Sequence, residues 1–171
     1  MSSTAYLKPL EGEGCEFWVA IRALLDRCKD LYEAQCLLEE IPLCTNANIL
    51  VADASNDVFI FEVASFSSTQ KRIAVRKPAG GLIAATNHYV SHEMKEFDEH
   101  HFWNSEIRYS SVWNSLLREA PYMNDEKVKN LLSTPYPYGP CCHFYASGMG
   151  TLRMFGSTKK LAQAAKKEPS P

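Results

Sequence analysis

Apolar positions along this chain follow two periods, and the change from one to the other sets out its elements. Between residues 17 and 28, Phe17, Trp18, Ile21, Leu24, Leu25 and Cys28 recur at spacings of three and four, the mark of one buried helical face. Asp30 with Glu33 three positions later makes a capping box for a second helix. Its stripe is Leu31, Ala34, Leu37, Leu38 and Ile41, and Pro42 ends it. The period then falls to two. Runs at 48–52 and 58–64 flank the polar turn 53–57, which predicts a hairpin. A second antiparallel pair, 72–76 and 82–86, is predicted around the turn residues 77–81, giving a sheet of four strands.

Helical spacing returns with Ile107, Val112, Trp113, Leu116 and Leu117, and Asn124 caps a short helix whose acidic residues fill its first turn. A proline-broken stretch then leads to a returning strand pair around 147–150, and 157–171 reads as a weak terminal helix with a frayed tail. Strands and helices come in blocks joined by hairpins. The expected class is therefore α+β, an antiparallel sheet carrying helices, in a single domain over 15–156 after an irregular segment 1–14.

Composition narrows the function classes. At 171 residues, 46% hydrophobic and 22% charged, the chain has the make-up of a globular protein, and no stretch reaches the roughly 20 apolar residues of a membrane span. A formal charge of −2 gives no field for nucleic acid, and the basic cluster Lys159, Lys160, Lys166 and Lys167 reads as solvation of the terminal helix. The start lacks the charged and apolar regions of a secretory signal, so a cytoplasmic, reduced chain is expected. The six cysteines lack zinc-ribbon spacing and most are expected to be buried thiols, with the adjacent Cys141 and Cys142 directed to opposite faces. No cofactor is implied.

Five positions carry candidate chemistry. His88 and His92 stand four apart, but His88 comes after a strand and no glutamate completes a zinc motif, so they read as neighbours and no metal is expected. Cys44, between a helix stop and a strand start, is either a displayed nucleophile or a small buried thiol. Asn87, at the end of a strand, offers two N–H donors that could meet an oxyanion, or it serves as a turn residue. Arg153 lies between Leu152 and Met154, either as an edge-strand charge or as a guanidinium held for a carboxylate. The aromatic residues Trp103, Trp113, Tyr136 and Tyr138 are expected to pack, since no basic groove accompanies them.

In order, "RALLDRCKDLYEAQCLLEEIP", "NILVADASNDVFIFEVAS", "LIAATNHY", "IRYSSVWNSLL", "KVKNLLST" and "GTLRMF" resemble the isopenicillin N acyltransferase-like branch of the N-terminal-nucleophile hydrolases, relatives of penicillin V acylase and bile-salt hydrolase. The resemblance runs from about Arg22 to Phe155 and implies an αββα sandwich. It also implies a cysteine acyl-enzyme acting on a linear amide. By the same likeness Asn87 is an oxyanion-hole donor and Arg153 an active-site arginine.

In that family the nucleophile is a cysteine that opens the mature catalytic chain and uses its own α-amino group as base. Cys15 is expected to open a helix, and the segment after Cys44 fits the mid-domain hairpin, so the catalytic segment is expected to be missing and the sandwich incomplete. The chain then reads as a piece or subunit of an amide hydrolase or acyltransferase, inactive alone. Its partners would be a small amide or acyl substrate and a homo-oligomeric or complementing chain over exposed sheet edges. A non-catalytic binding module that kept the fold is the rival, and a rearranged site built on Cys44 is a third reading.

Overall fold

In a computed structural model of the full chain, the described residues are 2–3, 14–67, 69–98, 101–144, 146 and 149–151. The chain divides into two compact units, Met1–Glu106 and Ile107–Pro171.

The first unit opens with the two-residue strand β1 (Ser2–Ser3) in the stretch expected to be irregular, before helices α1 (Phe17–Arg27) and α2 (Leu31–Glu40). Strands β2 (Ala47–Ala52), β3 (Val58–Ser65) and β4 (Lys71–Arg76) complete an antiparallel sheet ordered β1-β2-β3-β4. Cys15 does not open α1. It forms a parallel bridge with Leu43, and the N–H of Phe17 is satisfied by Thr45 Oγ1 at 3.1 Å, so the cap of α1 comes from across the fold. The α1 stripe is narrower than its spacing suggests. Ala20 and Leu24 are buried, while Trp18 is 57% and Leu25 75% exposed. At α2 the box forms in a shifted version: Asp30 accepts from Glu33 N–H at 2.9 Å, and Glu33 reaches back to Lys29 N–H at 2.9 Å.

Alternation on the strands sorts the core into two layers. Ala47, Ile49, Phe59, Phe61 and Val63 face α1 and α2 and pack with Ala20, Leu24, Ala34 and Leu38. On the opposite face Ala64 and Ala74 pack with Tyr89 and Met94, from the segment after β4. That segment corrects one expectation. The Ala79–Leu82 turn forms, with Gly80 and Gly81 at φ 59° and 78°, a conformation only glycine adopts without strain, but 82–86 does not continue as a strand. Its carbonyls are taken by side chains instead. Arg76 donates to Ala84 O at 2.7 Å, and Asn48 Nδ2 donates to Thr86 O at 2.9 Å, so a ladder with β4 is not required. The fourth strand of the sheet is β1, at the opposite edge.

Helix α3 (Ser105–Glu119) starts in the first unit. The second unit holds the rest of it, α4 (Asp125–Ser133), and strands β5 (His143–Phe144) and β6 (Met149–Gly150). Asn124 caps α4 by accepting from Lys127 N–H at 2.9 Å. The predicted apolar stripe of α3 is only partly covered, with Ile107 and Leu117 exposed and Val112, Trp113 and Leu116 half-buried. Trp103 and Tyr138 are exposed too, against the expectation that they pack. Trp113 does pack, stacked on Tyr109 with centroids 5.9 Å apart. Gly139 is required where it stands, because a Cβ there would collide with Thr134. The terminal helix expected over 157–171 lies outside the described residues. Among the described residues, no helix is long and apolar enough to cross a membrane.

Candidate functional site

Polar residues in apolar strands mark the site. Asn48 of β2 and Glu62 of β3 are cross-strand partners on the face away from α1 and α2, and both are buried. Glu62, 0% exposed, accepts from Arg76 Nε at 2.7 Å, Val90 N–H at 3.0 Å and Ser91 N–H at 3.1 Å. Three donors on one carboxylate meet the condition under which a buried charge is tolerated.

Asn48 spends both amide protons on the carbonyls that flank residue 87, donating to Thr86 O at 2.9 Å and His88 O at 2.8 Å. Its Oδ1 is buried without a hydrogen-bond partner among the described residues. The N–H of Asn87 itself donates to Ser105 Oγ at 2.7 Å. Ser105, at the start of α3, also lies 3.0 Å from Thr86 Oγ1 and 2.8 Å from His88 Nδ1. The main chain at 86–88 is thus held from the sheet on one side and from a helix end on the other. Asn87 therefore has a fixed backbone although it stands in no strand, which corrects the expectation that it ends one. Asn87 as a whole residue is half-buried.

Two imidazoles lie beside this clamp, with the rings of His88 and His101 5.5 Å apart. His101 sits between carboxylates, Nδ1 at 3.3 Å from Asp98 and Nε2 at 3.5 Å from Glu106. Burial pushes Asp98 above the usual carboxylate range, against the N–H of Tyr89 and the charge of His101, which pull it down. Burial and then the neighbouring His101 lower the pKa of His88. A histidine depressed in the folded state stays neutral there while the unfolded chain takes up a proton. Its contribution is absent above the unfolded value of about 6.5 and becomes a growing penalty as pH falls from there toward the folded value. The midpoint of urea unfolding is therefore expected to drop between pH 7.5 and 5.5, and His88→Gln is expected to flatten that slope. An unchanged slope would mean that another group carries the dependence.

His92 is exposed, away from the buried His88, and no group of three or more His, Cys, Asp or Glu among the described residues could hold a metal ion. Cys44 belongs to the helix side. Its N–H donates to Cys15 O at 3.0 Å, and burial, then the Glu16 carboxylate, raises its thiol pKa. Such a thiol is a poor nucleophile at neutral pH. Timed alkylation at pH 7 is expected to label Cys44 more slowly than an unstructured cysteine peptide, and faster labelling would restore its candidacy. Arg153 lies outside the described residues.

The clamp residues Asn48, Glu62, Arg76 and Ser105 escape a search for catalytic spacing. Their one signal in sequence is a polar side chain inside an apolar β run, as at Asn48 and Glu62. Ser105 has none.

In comparison with known proteins, the family model for acyl-coenzyme A:6-aminopenicillanic acid acyl-transferase matches residues 1–160. No curated protein and no solved structure matches.

Proposed function

This chain belongs to the acyl-coenzyme A:6-aminopenicillanic acid acyl-transferase family, and on that premise we propose that it is the oxyanion-binding part of a linear-amide hydrolase or acyltransferase. In this reading the reaction runs through a cysteine acyl-enzyme in an αββα sandwich. A nucleophile supplied from outside this chain attacks the amide carbonyl, and the carboxamide of Asn87 donates N–H to the negative oxygen that results. Arg153 orients a polar or carboxylate group of the substrate. The observation that carries the reading is the clamp at Asn87. Asn48 holds the carbonyls on both sides and Ser105 holds the N–H, so the backbone that carries the proposed donor is fixed before charge develops.

The Cys44 thiol suits the nucleophile's role badly, since burial and Glu16 keep it protonated. The test is to fuse or mix the chain with a segment carrying the family's N-terminal cysteine and its aspartate, then to monitor hydrolysis of simple acyl amides. Turnover that needs both parts supports the reading. A folded but inactive complex would favour the binding module that kept the fold.

A further inference from the structure

Two adjacent thiols in the second unit meet opposite partners. Cys141 is anchored by a parallel bridge to Pro135, and its N–H donates to Thr134 O at 3.1 Å. In extended chain, side chains two apart share a face, which puts Cys141 beside His143. Its Sγ lies 3.1 Å from His143 Nε2. Either atom can hold the shared proton, and an imidazole at that distance is what activates a sulfur nucleophile.

Cys142 points the other way and donates to Pro140 O at 3.8 Å. Burial raises the pKa of Cys142 more than the nearby Arg108 lowers it. Exposure ranks the two in the reverse order, since Cys141 is 5% exposed and Cys142 partly exposed. The arrangement therefore makes a prediction that accessibility alone does not.

We propose that Cys141 and His143 form a thiol–imidazole site that exchanges with small disulfides, making Cys141 the modified residue. Nε2 of His143 takes the thiol proton as Sγ attacks one sulfur of R–S–S–R. The Cys141–S–S–R bond forms as the original S–S bond breaks, the electron pair leaves on RS⁻, and the imidazolium returns the proton to give RSH. One disulfide replaces another, and no further oxidant is needed. The small exposed area of Cys141 selects slender disulfides over folded partners, while the exposed imidazole of His143 exchanges its proton with solvent.

The full chain is incubated with glutathione disulfide at neutral pH, quenched with acid at intervals and mapped by peptide mass spectrometry. Cys141 is expected to carry the adduct first, about tenfold or more ahead of Cys142. His143→Gln, at an exposed position, is expected to slow Cys141 about tenfold while leaving Cys142 unchanged, with circular dichroism confirming the fold. Cys142→Ser is expected to leave the Cys141 rate as it was. The proposal is overturned if Cys142 or any other cysteine reacts first, or if folded His143→Gln modifies Cys141 at the original rate. Because the ranking of Cys141 over Cys142 is read on the unaltered chain, the test stands even where a variant folds badly.

Discussion

Glu62→Ala is expected to destabilise the chain by about 3–5 kcal/mol, a large share of the roughly 5–15 kcal/mol that holds a domain folded. The loss has three parts. The guanidinium of Arg76 loses the carboxylate at 2.7 Å, and the N–H groups of Val90 and Ser91 lose their acceptors. Arg76→Ala should cost less, because Glu62 keeps the two backbone donors. Replacing both residues by leucine and methionine should recover only the charge penalty, since the N–H groups of Val90 and Ser91 and the carbonyl of Ala84 stay unpaired at about 1–3 kcal/mol each. Urea unfolding monitored by circular dichroism separates these cases. A cost under about 1 kcal/mol for Glu62→Ala would show that the carboxylate does not tie the segment after β4 to the sheet.

In the complemented enzyme, Asn87→Ala is expected to lower kcat about 10²- to 10³-fold, or about 2.7–4 kcal/mol of transition-state stabilisation, with KM little changed. A donor that works only on developing charge shows that split between kcat and KM. Ser105→Ala leaves the carboxamide in place and releases the Asn87 N–H, so it should produce a smaller loss of kcat and a stability cost of about 1 kcal/mol. If Asn87→Ala keeps kcat within about tenfold while the fold is intact, the residue serves the turn and not the reaction.

Much of this fold is legible in the chain because the rules behind it are local. The spacing of Ala34 and Leu38, the Asp30 and Asn124 caps and the hairpin between β2 and β3 each need only neighbours within a few residues. Expectations fail where a distant group intervenes. The turn at Gly80 and Gly81 promises a strand over 82–86, but Arg76 and Asn48 reach its carbonyls first and the segment stays irregular. Trp18 and Leu25 keep helical spacing on α1 and still lie outside, while Ala20 and Leu24 take the helix's place in the core.

The candidate site shows the same division. Asn87 stands out in sequence as an amide after an apolar run, and the α+β class and family come from motifs spread along the chain. Its support was invisible there. Asn48 reaches residue 88 across a separation of 40, and Ser105 reaches Asn87 across 18. Residue types and their periods fixed the helices and the β2–β3 hairpin. Which buried polar groups answer one another was settled only when folding brought distant atoms to hydrogen-bonding distance, since that pairing depends on position in space and leaves no period in the chain.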